Sequence, residues 1–456
     1  MRFLPHAVLT AAILAPAVAA AQVAPIAGDW YGTLKTAGAD LPLVLHVKPD
    51  GTATLDSPAQ HAMGLAATAS LSDTKVSVTL RAIPAGFQGA ISADGKSLTG
   101  VWTQGDLPLT MTRTAPVATA APRRPQTPKP PFPYRAEDVT YVNPASGLKL
   151  AGTLTLPQGS GPFPAVVLIT GSGIQDRDET IFDHKPFLLL ADALTRRGVA
   201  VLRVDDRGAG GSEAGDIAKA TSASFATDVA AGVAFLRGRQ DIDPSRIGLI
   251  GHSEGGMIAP LVAAQDPRIA FLVLMAAPGV DGVDLLVSQN RAIALASGAP
   301  PTSVEAMLKT KRAWFEAARD AQDENDGRVR LNAVLDGQGV PAGAPLRAQV
   351  LSLAAPWWRY TFNTRPADAL KQVRVPVLAI GGSKDLQVPA AANLTAIKAA
   401  LAGDGDVTTR EFPGLNHLLQ TAGTGLPDEY GQIEETMAPV ALAAIVDWTV
   451  AHAVKK

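Results

Sequence analysis

Cysteine is absent from the 456 residues, which removes disulfides, thiolate-ligated zinc, iron–sulfur clusters and thiol nucleophiles together. A covalent nucleophile in this chain must therefore be sought among Ser, Thr, Lys and the carboxylates. Basic excess is missing too. Forty Lys and Arg stand against 42 Asp and Glu, a formal charge of −2. No surplus of cations is available to neutralise a phosphate backbone, and nucleic acid is not an expected partner. Histidine is scarce, with seven in all (His6, His46, His61, His184, His252, His417 and His452), so the search for an imidazole base is short. What is plentiful is apolar and uncharged: 47% of the residues are hydrophobic and 18% charged, the composition of a folded globular protein of more than one core.

The first 21 residues carry a single charged side chain, Arg2, followed by apolar stretches at 7–13 and 15–21 that end in small residues. This pattern predicts a secretory signal peptide over 1–21, cleaved after about Ala21. Pro5 and Pro16 bracket a run well short of the roughly 18 residues a membrane span needs, so no integral membrane segment is expected after cleavage. The mature protein is expected to be exported, periplasmic or secreted.

Residues 22–115 read as short alternating strands, about eight of them, with Asp50-Gly51 and Asp94-Gly95 as hairpin cues. A small all-β barrel or sandwich is predicted, with Trp30, Tyr31 and Trp102 as core or end-plugging aromatics. Residues 116–133 contain seven prolines and predict a semi-rigid linker.

From residue 134 the period changes. The run 164–170 is continuously apolar, as befits a strand buried on both faces. Predicted strands at 199–204, 246–250, 269–275, 375–381 and 407–412 alternate with helices at 184–197, 222–239, 253–264 and 390–401, and a last helix ends near His452. Such alternation specifies an α/β fold, a mainly parallel doubly wound sheet, over 134–456. A helical insertion at about 280–372 is expected to cap it, with helices at 284–297, 304–323 and 345–360. Ligand sites in such sheets lie beyond the carboxyl ends of the strands, so the residues just after each strand are the ones to inspect.

After the strand ending at 250 stands Gly251-His252-Ser253-Glu254-Gly255-Gly256. A serine between small residues at a strand-to-helix junction is the arrangement that exposes a hydroxyl on a strained turn. That hydroxyl is a poor nucleophile without a neighbouring base, and the base needs an orienting acid. Asp385 follows the strand at 375–381 and His417 the strand at 407–412; they are the acid and imidazole that come after strands in the required order. Ser253, Asp385 and His417 are the candidate catalytic residues. The oxyanion donors expected are the amides of Glu254 and Ser172, with Gly173 second, the last two from the Gly171-Ser172-Gly173 loop after the strand at 164–170. That loop lacks the spacing of a phosphate cradle. His252 is expected to pack or hydrogen-bond away from the exposed tip, and His184 stays open. Asp205, Asp206 and Arg207, and Asp176, Arg177 and Asp178, are expected to tie loops together. No residue set is assigned to a metal or cofactor.

Thr170-Gly171-Ser172-Gly173-Ile174-Gln175-Asp176-Arg177-Asp178, Asp205-Asp206-Arg207-Gly208-Ala209-Gly210-Gly211-Ser212, the Ser253 motif and the Asp385 and His417 loops together resemble the α/β-hydrolase superfamily. Within it they resemble EstD-type bacterial serine esterases, often grouped with serine aminopeptidase-like hydrolases. The resemblance implies an α/β-hydrolase fold with a helical cap and hydrolysis of carboxylic esters, usually of short acyl chains, without a cofactor. It does not extend to the N-terminal β domain. Thr170-Gly171 stands where the superfamily often has His-Gly, so a donor from that side chain differs in kind. The expected partner is a small-molecule ester substrate. Cleavage of amides by a peptidase, with Glu254 as a candidate anchor for a free amine, is the alternative enzyme reading. A non-catalytic envelope-binding protein, with a cell-envelope ligand on the β domain, is the alternative of another class.

Overall fold

The computed structural model describes residues 23–35, 40–57, 62–81, 85–104, 106–115, 122–403 and 405–454. The predicted signal peptide at 1–21, residues 116–121 of the proline-rich stretch and two of the histidines, His6 and His61, lie outside them. The chain divides into two compact units, residues 1–121 and 122–456.

In the first unit eight strands run β1 (Gly28–Lys35), β2 (Asp40–Val47), β3 (Thr52–Ser57), β4 (Ala62–Ser72), β5 (Lys75–Leu80), β6 (Gly86–Ile91), β7 (Ser97–Trp102) and β8 (Leu107–Thr112). Each pairs antiparallel with the next, and β8 returns to β1 through Tyr31 and Thr112, closing a barrel. The period-2 alternation decides which side chains point inward. Leu43, Leu45 and Val47 from β2 and Val76, Val78 and Leu80 from β5 meet Trp30, Phe87, Leu98 and Met111 in the interior. An eight-stranded barrel is just wide enough for side chains to fill it, and this one is a packed core. The Trp30 indole N–H donates to the Ile26 carbonyl at 2.8 Å, and the two hairpin cues fall in the β2–β3 and β6–β7 turns.

The second unit holds an eight-stranded sheet in the order β16-β15-β14-β13-β11-β12-β10-β9. Its strands are β9 (Arg135–Val142), β10 (Lys149–Leu156), β11 (Phe163–Ile169), β12 (Ala200–Val204), β13 (Ile242–His252), β14 (Leu272–Met275), β15 (Val377–Gly382) and β16 (Val407–Phe412). From β12 to β16 all neighbours are parallel, while β10 runs antiparallel to both β12 and β9. Helices α1 (Pro186–Thr195), α2 (Ser222–Arg237), α3 (Glu254–Gln265), α10 (Ala390–Ala400) and α11 (Pro439–Ala453) cover the two faces. One face packs Val167, Leu249 and Ala379 under α2, α3 and α10; the other packs Val166, Ile250 and Ile380 under α1 and α11. This is the α/β-hydrolase architecture.

Between β14 and β15 lies the cap: α4 (Gly282–Ala296), α5 (Pro301–Arg319), α6 (Glu324–Gly337), α7 (Pro345–Leu351), α8 (Pro356–Asn363) and α9 (Pro366–Leu370). It has its own core around Val283, Val287, Phe315, Leu331 and Phe362. Two details differ from the sequence expectation. The helix predicted over 345–360 is two, because Pro356 has no N–H to continue the first and starts the second at its N1 position. Helix α6 was not predicted at all; its start is the Asp323 side chain, which accepts from the Asp326 amide at 2.8 Å. Among the described residues no helix is long and apolar enough to cross a membrane.

The proline-rich stretch is not a free spacer from Pro122 onward. The Arg124 guanidinium donates to the carbonyls of Phe182, Gly431 and Ile433. Gln126 donates to the Met437 carbonyl and accepts from the Thr436 amide. Few of its own amides are free to donate, so side chains fasten this segment to the second unit.

Candidate active site

Ser253 sits at the tip of the β13–α3 turn with φ 53° and ψ −118°, a conformation outside the ordinary wells that costs about 1–3 kcal/mol. The surrounding glycines make the turn sterically feasible. A Cβ on Gly251 would lie 2.1 Å from the Gly255 carbonyl oxygen, one on Gly255 2.2 Å from the Ile169 oxygen, and one on Gly256 2.4 Å from the Ala277 Cβ. The Ser253 amide is held by the Met275 carbonyl of β14 at 2.8 Å. Helix α3 therefore runs against β11 and β14 closely enough to aim the hydroxyl out of the sheet.

Asp385 follows β15 and His417 follows β16, the edge strand. Three strand spacings separate β16 from β13, about 14 Å, which five residues after Phe412 plus an imidazole can span. The His417 ring reaches back over the sheet. Its Nε2 lies 3.0 Å from Ser253 Oγ and its Nδ1 2.8 Å from Asp385 Oδ2. The other Asp385 oxygen accepts from the Gln387 and Val388 amides at 2.9 and 2.8 Å, so both carboxylate oxygens are occupied and the carboxylate is fixed in orientation. The three residues, 132 and 32 positions apart in sequence, form one hydrogen-bonded chain with both partners of the serine buried.

The loop bearing His417 is held from beneath. Asn416 and Gln420 bond to each other, and Gln420 reaches His184 at 3.0 Å. The His184 Nδ1 meets the Thr436 hydroxyl at 3.0 Å. Burial draws the His184 imidazole below its ordinary range. The histidine left open by sequence is a strut under this loop.

The strand order seats β11 directly beside β13, so the loop after β11 abuts the serine. Gly171 has the Ser253 Cβ 3.4 Å from where its own Cβ would be. Ser172 and Glu254 line the same pocket as Ser253, and Gly173 instead lines a separate small cavity behind the loop with Asp206 and Tyr141. Glu254 is the first residue of α3, so its amide has no intrahelical acceptor. The structure thus brings Ser172 and Glu254 to Ser253 and not Gly173, whose φ of 102° serves the turn.

The Glu254 side chain turns inward. It is buried, and Oε1 accepts from the Ser222 hydroxyl at 2.6 Å and the Trp357 indole at 3.0 Å. Burial pushes this carboxyl above its usual range, and the hydroxyl and indole donors oppose the shift. The pocket in front of Ser253 is walled by Met257, Val280, Leu285, Leu286, Trp357 and Val388, an apolar slot with the carboxyl at one side. The cap aromatics divide in role. Trp314 and Trp358 pack in the cap core, Trp358 stacked on Phe362 at 5.7 Å, whereas Trp357 faces the pocket.

The charged loops tie the sheet ends together as expected. Asp205 accepts from Arg177 at 2.7 and 3.0 Å, Asp178 pairs with Arg203, and Arg207 pairs with Asp228. Asp206 accepts from the Thr170 hydroxyl at 2.8 Å and the Gln175 amide at 2.9 Å. Burial, together with Glu179 and Glu254 nearby, pushes its carboxyl up to about 7.

Sequence reasoning passed over Glu179. It is buried with φ 52° and contacts His252, which meets acceptors on both ring nitrogens. The available signal was an acid closing the Asp176-Arg177-Asp178-Glu179 run, more charge than one solvent-facing turn ordinarily requires. Among the described residues no group of histidines and acids is arranged to hold a metal ion.

Comparison with known proteins adds relatives to this geometry. The profile of the X-Pro dipeptidyl-peptidase (S15) family matches residues 146–403, a span that contains Ser172, Ser253 and Asp385 and stops short of His417. Esterase EstD of Thermotoga maritima is 31% identical over 305 residues, covering 66% of this chain and 64% of that protein. The chain thus spans less than two thirds of the length of that relative. Of solved structures, the 2,6-dihydroxy-pseudo-oxynicotine hydrolase is similar with 18% identity and a TM-score of 0.40, over 70% of this chain and 68% of that one. Est1E from Butyrivibrio proteoclasticus, with ferulic acid bound, is similar with 19% identity and a TM-score of 0.41, over 68% and 97%.

Proposed function

Because the chain belongs to the X-Pro dipeptidyl-peptidase (S15) family, we propose that it is a serine hydrolase that cleaves carboxylic esters of short acyl chains through an acyl-enzyme on Ser253. The observation that carries this reading is the His417 imidazole, 3.0 Å from the Ser253 hydroxyl and 2.8 Å from the Asp385 carboxylate. Ser253 Oγ attacks the acyl carbonyl carbon as His417 Nε2 takes its proton. Asp385 holds the tautomer that leaves Nε2 free to do so and stabilises the imidazolium. The Ser172 and Glu254 amides face the carbonyl oxygen as it gains charge. Collapse breaks the ester C–O bond, the alcohol departs with the proton from His417, and water repeats the sequence on the acyl group. Similarity to Esterase EstD supports the choice of esters, and the apolar slot in front of Ser253 supports an acyl group as its occupant.

The family's description favours a second reading, cleavage of peptide amides. The buried Glu254 carboxyl beside the nucleophile is the feature that fits it, as an anchor for a substrate amine. Rates on p-nitrophenyl butyrate against Xaa-Pro p-nitroanilides separate the two. A fluorophosphonate probe tests both: adduct on Ser253, abolished by Ser253→Ala, is expected, and labelling that survives the substitution would end the proposal.

The same proposal includes export through residues 1–21 and a cell-envelope ligand for the barrel. Cell fractionation with the first 21 residues present or removed tests the former, and pull-down on cell-wall polymer with and without the barrel tests the latter.

A further inference from the structure

We propose that Glu179 and His252 form a buried ion pair that positions the nucleophile, base and oxyanion loops together; the proposal rests on the hydrolytic reading of Ser253. Neither residue touches the serine hydroxyl. His252 ends β13, one residue before the nucleophile. Its Nε2 lies 3.0 Å from the His417 carbonyl oxygen. A carbonyl only accepts, so Nε2 carries a proton. Its Nδ1 lies 2.9 Å from Glu179 Oε1. That same oxygen accepts the Gly171 amide at 2.7 Å, which marks it as an acceptor for Nδ1–H as well. Both ring nitrogens therefore donate, and the ring is an imidazolium facing a carboxylate.

Three loops converge on this pair. Gly171 precedes the oxyanion residue Ser172, His252 precedes the nucleophile, and the carbonyl is that of the base itself. A buried pair with both His252 ring nitrogens engaged and Glu179 Oε1 shared between the ring and the Gly171 amide fixes the relative placement of these loops more firmly than apolar packing would. Burial by itself draws the His252 ring down, but the Glu179 carboxylate overrides it and lifts the ring to about 9.

The test uses the full-length protein labelled with ¹⁵N-histidine and the variants His252→Gln, His252→Ala and Glu179→Gln. In the wild type at pH 7.5 the His252 ring is expected to show two protonated nitrogens, and in Glu179→Gln one. A neutral wild-type ring overturns the ion pair whether or not the protein turns over an ester. In kinetics, His252→Gln keeps a donor where Nε2 stood but carries no charge. His252→Ala loses donor and charge, and its kcat is expected to fall at least tenfold below that of His252→Gln, with KM changed less than threefold. Equal kcat in His252→Gln and His252→Ala, with only a lowered melting temperature, would reduce the pair to a folding element. If the wild type hydrolyses no ester, the functional reading fails, and the ring protonation still decides the pair.

Discussion

Replacing Asp385 by Asn changes one atom at a site whose geometry dictates the outcome. Asp385 Oδ1 accepts two backbone amides, from Gln387 and Val388, and Oδ2 accepts His417 Nδ1–H. The Asn side chain has one acceptor and one donor group. Turning its NH₂ toward the two amides would leave buried donors facing a donor, about 1–3 kcal/mol for each unmet group. The amide oxygen therefore stays on Gln387 and Val388, and the NH₂ meets His417. Nδ1 must then accept, which puts the ring proton on Nε2, pointing at Ser253 Oγ. A base already protonated on the attacking side cannot take the serine proton. The expected loss in kcat is about 10³–10⁴, equivalent to about 4–5.5 kcal/mol in the barrier, with KM nearly unchanged. Initial rates on p-nitrophenyl butyrate at pH 7.5 measure it, and circular dichroism melting shows whether the fold persists. A variant within tenfold of wild-type kcat, still folded, would refute the tautomer reasoning and with it the role of the Asp385–His417 bond.

Gly255→Ala would set a Cβ 2.2 Å from the Ile169 carbonyl oxygen; backbone must move, so a loss of about 2–3 kcal/mol in folding free energy and at least tenfold in kcat is expected, read by denaturant titration and turnover. Asp206 has a folded-state carboxyl lifted by burial to about 7. As pH rises from about 4 to 7 the unfolded carboxyl ionises while the folded one keeps its proton, so this group lowers wild-type stability across that window, by up to about 4 kcal/mol. Asp206→Asn should remove that slope, and denaturant titrations of both proteins at pH 4.5, 6 and 7.5 would contradict the assignment if the two curves ran parallel. Leu286→Trp should narrow the slot in front of Ser253, lowering kcat/KM for octanoyl esters at least tenfold more than for acetyl esters; an equal loss on both would remove Leu286 from the acyl wall.

Much of the fold was legible because burial writes its own pattern. The uninterrupted apolar run at 164–170 belongs to a strand with both faces covered, and β11 is that strand. The serine motif was readable because its glycines answer a steric demand that any nucleophile at this turn meets, visible in the contacts a Cβ would make at 251, 255 and 256. Asp385 and His417 were readable from order alone, since each follows a strand whose end must lie at the ligand-binding rim. The cap was less legible. Helix α6 carries only three buried residues, Gly327, Leu331 and Leu335, too faint a stripe to announce itself. The docking of residues 122–133 was hidden because Arg124 and Gln126 bind carbonyls and amides, and a backbone partner leaves no mark in the sequence.

The sequence by itself determined the two units, the parallel sheet and the identity of three residues that meet at its rim, because side-chain periodicity and turn sterics are local properties of the chain. Only the tertiary structure decided which residue of the loop after β11 reaches Ser253, which cap tryptophan faces the pocket, and that Glu179 and His252 meet beside His417. Those outcomes depend on the neighbour order of strands and on burial. Charge pairing in particular is settled by which groups share a space without water, and that space exists only once the sheet has closed around it.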